Sequence, residues 1–96
     1  EMQPVPPQEF YDAQERVTTE WVTAAQRVAQ EAGVPFQGFT LEAVHPWEAI
    51  LDQAKTHACD LIVMASHGRR GISGLLLGSE TQKVLTHSKI PVLVYR

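Results

Sequence analysis

The chain has 96 residues, 44% of them hydrophobic, which suits one small globular domain and argues against both disorder and a second domain. Its longest apolar run, Leu61-Ile62-Val63-Met64-Ala65, has the length of a strand rather than of a membrane span, and the Pro-rich start does not read as a secretory leader. The net charge of −3 is divided unevenly, −7 over residues 1–60 and +4 over residues 61–96; the local positive excess suits a small anionic ligand and is too weak to argue for nucleic acid.

Residues 1–7 carry Pro4, Pro6 and Pro7 and predict a loop or frayed end. A long helix is expected next, because Phe10, Val17, Trp21, Ala24, Val28 and Ala32 recur at steps that keep one apolar stripe on a helical face. Gly33 ends it, and Pro35 prevents continuation. Phe36–Val44 predicts a strand with Phe39 and Leu41 on one face, although Gly38 weakens it. Pro46 suits the first position of a second helix, whose buried face is Trp47, Ile50, Leu51, Ala54 and Ala58. Both tryptophans, Trp21 and Trp47, are expected in the core. Cys59 cannot form an internal disulfide, which suits a reducing cytoplasm, and its simplest role is that of a small buried hydrophobe before a strand.

Asp60 to Ala65 then predicts a strand buried on both faces, as in a parallel sheet. A loop with Gly68, Gly71 and Gly74 follows, and a short helix from about Ser79 to Ser88, with Ser79 and Gln82 at the spacing of a capping box. Ile90–Tyr95 predicts the last strand, with Pro91 at its entrance. The order α-β-α-β-α-β implies an α/β fold with a parallel sheet flanked by helices.

The segment from Asp60 to Thr81 reads as buried strand, glycine-rich loop and helix start, the place where open α/β sheets bind ligands. Glycines let backbone amides approach an anion, and a helix start offers unpaired N–H groups with the positive end of a dipole. Ser79 adds a hydroxyl, and Arg69 and Arg70 can add charge. The spacing Gly68-x-x-Gly71-x-x-Gly74 is not the dinucleotide fingerprint, and no Lys-Ser or Lys-Thr pair completes a P-loop. His67 lacks a carboxylate or nucleophile beside it, which favours a structural or ligand-wall role. His45, His57 and His87 lack metal-ligand spacing, and Glu80 fits a helix start by charge alone.

Ala65-Ser66-His67-Gly68, nine further residues and then Gly78-Ser79 resemble the nucleotide motif Gly-x2-Gly-x9-Gly-Ser/Thr of the universal stress protein family, with Ala65 in place of the first glycine. The helix leading into Asp60-Leu-Ile-Val and the strand in Lys89-Ile-Pro-Val-Leu-Val-Tyr95 match as well; the likeness is specific over Trp47–Arg96 and compatible over residues 8–44. The resemblance implies a Rossmann-like, adenine nucleotide alpha hydrolase-like fold with strand order 3-2-1-4-5. This chain would be its N-terminally truncated single domain, supplying strands three, four and five without one and two.

The resemblance further implies a cytoplasmic stress-response protein that binds ATP, with Mg as a conceivable companion, through Met64, Ala65, Gly68, Arg69, Gly78, Ser79 and Glu80. It would be regulatory more than catalytic; a slow ATP hydrolase and a nucleotide-free scaffold are the alternatives. Without the part resembling an adenine and ribose site, the chain itself is expected to hold phosphate, sulfate or nothing. The resemblance also implies a homodimer or higher oligomer through the terminal strand Val92–Tyr95, and strand contacts borrowed from another chain for Phe36–Val44.

Overall fold

The computed structural model describes residues 4–66 and 77–96. The chain divides into two compact units, Glu1–Leu41 and Glu42–Arg96.

The first unit is built on helix α1, Gln8–Ala32. Gly33 closes it in the left-handed conformation at φ 69°, with its N–H on Gln30 O and that of Val34 on Ala29 O. This paired closure satisfies carbonyls that have no partner further along the helix. Most of the expected apolar stripe is not covered: Phe10, Trp21 and Val28 are exposed at 47%, 53% and 66%, and of the stripe only Val17 is half-buried, together with Ala13, Thr18, Val22 and Ala29 beside it. The chain after Gly33 turns back onto the Val22 side, which decides the matter. A Cβ on Gly38 would strike Val22 Cγ1 and lie 2.9 Å from Phe36 Cε1, so Gly38 is there for close approach to α1.

The strand expected over Phe36–Val44 does not form; residues 34–43 take neither helix nor strand. A strand exists through its ladder of inter-strand hydrogen bonds, and this segment pairs with no strand among the described residues. Alternating side chains supply a preference for extension but no partner.

The second unit has the predicted alternation. Helix α2 spans Pro46–Thr56, strand β1 Ile62–Ala65, helix α3 Ser79–His87 and strand β2 Val92–Tyr95. β1 and β2 pair in parallel, Ile62 opposite Val92 through to Ala65 opposite Tyr95. This is an α/β arrangement, a parallel pair joined through a helix, with α2 packed on α3 and α3 on β2. Among the described residues, Ile62 and Val84 are its buried apolar residues, joined by buried Ser66 and Thr81. β1 is not buried on both faces: Val63 is 60% exposed while Ile62 is 8% exposed. Among the described residues the helices cover one face of the pair, so alternation replaces the two-sided burial expected of a parallel strand.

Pro46 opens α2 as expected. Trp47, Ile50, Leu51 and Ala54 are half-buried on it, but Ala58 lies beyond its end, exposed, with φ 51°. The N–H groups of Ala58 and Cys59 close the helix on Lys55 O and Ala54 O, the same paired pattern that Gly33 completes in α1. Cys59, one residue past this turn, is exposed and not a buried hydrophobe. An alanine in the left-handed region strains its Cβ against the carbonyl by about 1 kcal/mol.

Ala58→Gly should therefore raise the unfolding free energy by about 1 kcal/mol in urea denaturation, with an unchanged slope. Gly38→Ala should do the opposite, losing about 1–3 kcal/mol because Val22 and Phe36 must move aside, which thermal unfolding would register as a lower midpoint.

Candidate functional site

The candidate site lies where β1 ends and α3 begins. Among the described residues, three hydrogen bonds tie this junction together. Ser66 N–H donates to Tyr95 O at 2.8 Å, which carries the ladder one residue past β1. Gly78 N–H donates to Ser66 O at 2.7 Å, bringing the chain back to the strand it left. Thr81 Oγ1 donates to Ala65 O at 3.0 Å. Ser66 and Thr81 are 5% and 3% exposed, so these polar groups are paired where water cannot substitute.

Gly78 is the N-cap residue of α3, with φ −60° and ψ 150°, and Ser79 is its first helical residue. The expected capping box is thus displaced: Ser79 is already inside the helix, and no side chain caps the start. Gln82 instead sends its amide Nε2 back to Leu77 O at 2.8 Å, and its backbone N–H makes the first helical bond, to Gly78 O at 3.0 Å. The N–H groups of Ser79, Glu80 and Thr81 precede that bond and face out of the helix start, where the helix dipole is positive. The fit to a phosphate group therefore rests on these three amides and the exposed Ser79 hydroxyl. The N–H of Gly78 is engaged by Ser66.

Of the residues expected to bind nucleotide, Met64 and Ala65 lie on β1 and Gly78, Ser79 and Glu80 on the first turn of α3. The junction brings Ala65, Gly78 and Ser79 together. Gly68 and Arg69, with His67, Arg70, Gly71 and Gly74, fall outside the described residues. Glu80 is half-buried and has a defined partner: its Oε1 accepts the backbone N–H of Trp47 at 2.9 Å. The ring of Trp47 stacks on His87 with centroids 4.6 Å apart and planes 24° from parallel. Sequence reading identified neither Thr81 as the tether nor Glu80 as a cap for another helix. Thr81 sits two residues after the Gly78-Ser79 pair, but a buried hydroxyl cannot be told from an exposed one by spacing. Glu80 and Trp47 are 33 residues apart, with no local signal joining them.

The universal stress protein family model matches residues 1–96. The chain is 41% identical over 76 residues to a universal stress protein of Thermus aquaticus, a match covering 75% of this chain and 56% of that protein. It is 38% identical over 72 residues to the universal stress protein Slr1230 of Synechocystis, covering 75% and 25%. With universal stress protein A homolog 2 of Coxiella burnetii it shares 53% identity over 47 residues, covering 49% and 32%. This chain belongs to the universal stress protein family, and the membership supports a role in the stress response. The matched stretches span about half of the Thermus relative and less of the others. No helix among the described residues is long and apolar enough to cross a membrane.

Thr81→Val should cost about 1–3 kcal/mol by leaving the Ala65 carbonyl without its hydroxyl donor. Thr81→Ser should recover most of that loss. Equal denaturation midpoints for the valine and serine variants would show that the hydroxyl bond does not hold the junction.

Proposed function

We propose that this chain carries the phosphate-binding part of an adenine-nucleotide site and that the protein acts in the cytoplasm as a nucleotide-responsive regulator of the stress response, not as an efficient hydrolase. The observation that carries the reading is the start of α3, which lies beside the carboxyl end of a parallel strand and is held there by the bonds from Gly78 and Thr81. A helix start fixed in this way presents amides to an anion without having to reorganise on binding. ATP is the proposed nucleotide; the amides of Ser79, Glu80 and Thr81 and the hydroxyl of Ser79 would hold its phosphates, while Met64, Ala65, Gly68 and Arg69 complete the proposed lining. What the bound nucleotide supplies is charge, and the chain's contribution is to bind and orient it. Alone, the chain would hold inorganic phosphate or sulfate in the same place.

The proposal includes a homodimer through β2. That strand pairs with β1 along one side, and no strand among the described residues pairs along the other. Leu93 and Tyr95 on it are exposed. An apolar edge of this kind accepts a second strand readily. Sedimentation should show a dimer at micromolar concentration, and Val94→Pro, which removes a ladder donor from the strand, should give monomers.

Gly78→Val tests the ligand. The φ and ψ of Gly78 are open to valine, so the variant should keep its helix content, while the branched side chain obstructs the phosphate. Calorimetry on the protein at its full natural length should show ATP binding in the parent and none in the variant. Equal ATP affinity in the two would place the phosphate elsewhere.

A further inference from the structure

The two helix starts of the second unit are joined by one side chain. The start of α2 has no side-chain cap of its own at His45, and the N–H of Trp47 precedes the helix's backbone bonding. Glu80 supplies the missing acceptor from the first turn of α3. Its carboxylate thus lies at the amino ends of two helices, where both dipoles favour negative charge. Glu80 and His87 are two turns apart on one face of α3, and both meet Trp47, one at its backbone and the other at its ring. Trp47 is held along the length of α3.

A carboxylate in the first turn of a phosphate-binding helix would repel the ligand if it faced the same way as the amides. Hydrogen bonding to Trp47 turns it toward α2 instead. We propose that Glu80 is a positioning residue: it fixes the amino end of α3 against α2, and through Trp47 it makes the α2–α3 contact sensitive to whether that end is occupied. The second half of this statement rests on the nucleotide reading above; the first half does not.

The test compares Glu80→Ala, which removes the acceptor, with Glu80→Gln, which keeps an acceptor oxygen without the charge. Both are made with Trp21→Phe, and with any tryptophan outside these 96 residues likewise replaced, so that emission reports Trp47. Amide hydrogen exchange without ligand decides the positioning. Glu80→Ala should speed exchange at Trp47 and also at Gly78 and Gln82, whose bonded N–H groups hold the start of α3, and Glu80→Gln should leave the latter two near the parent. Faster exchange confined to Trp47 would reduce Glu80 to a cap for α2 and overturn the proposal.

ATP titration tests the coupling. In the parent, Trp47 emission should follow the same isotherm as calorimetry; Glu80→Ala should weaken binding about fivefold or more and lose the emission response. Glu80→Gln should bind within about twofold of the parent. A glutamine variant that binds ATP more tightly than the parent would mean that the carboxylate faces the ligand and repels it, which also overturns the proposal. If the parent binds no ATP, the nucleotide reading and the coupling fail together, and the exchange result alone judges the positioning.

Discussion

The second unit depends on the bond from the buried hydroxyl of Thr81 to the carbonyl of Ala65. It joins the last residue of β1 to the first turn of α3 across 16 positions of sequence, and its donor, Thr81, is buried. A buried hydroxyl left without its acceptor costs about 1–3 kcal/mol, so the Thr81 bond locates the helix start relative to the strand end. Gly78 and Ser66 repeat the constraint one bond away, and Ser66 passes it to Tyr95 and hence to β2. Strand end, helix start and neighbouring strand are therefore one hydrogen-bonded structure. Burial of Val84 beside Thr81 on α3 and of Ile62 on β1 adds the apolar part.

That junction explains how an ordinary short helix could serve as an anion site. A nine-residue helix has little stability of its own in water, because nucleation is unfavourable and few bonds propagate it. Tethers at its first turn and the packing of α2 and β2 hold it in place. The dipole and the amides at its start are then fixed in direction, which is the property an electrostatic binding site requires. Glu80 extends the same logic to α2. The amino ends of both helices are held by groups that come from elsewhere in the fold, not by their own N-cap side chains.

Much of this organisation was legible in the sequence. Gly33, Pro46 and the Gly78-Ser79 pair located helix ends to within a residue, because each reflects local backbone preference. The two parallel strands followed from short apolar runs and the intervening helix. Features requiring distant partners were less legible. Phe36–Val44 has the composition of a strand, but composition cannot provide a ladder. The apolar stripe of α1 was read at helical period, but of its residues only Val17 is on the half-buried side, since the side that Gly38 approaches depends on a turn made after the helix ends. Ala58 was assigned to the buried face of α2 because periodicity continues past Thr56, whereas the backbone there has already entered the left-handed turn. At the end of β1 the Gly78-Ser79 pair marked where α3 begins. The roles of Thr81, Ser66 and Glu80 required knowing which strand that start would meet.

The central claim, that nucleotide phosphate binds the amino end of α3, is tested most directly by following backbone amide resonances as ATP is added to the protein at its full natural length. The account predicts that Ser79, Glu80 and Thr81 shift along one saturable isotherm and that inorganic phosphate moves the same resonances at higher concentration. Saturable shifts elsewhere, with these three amides unmoved, would contradict it.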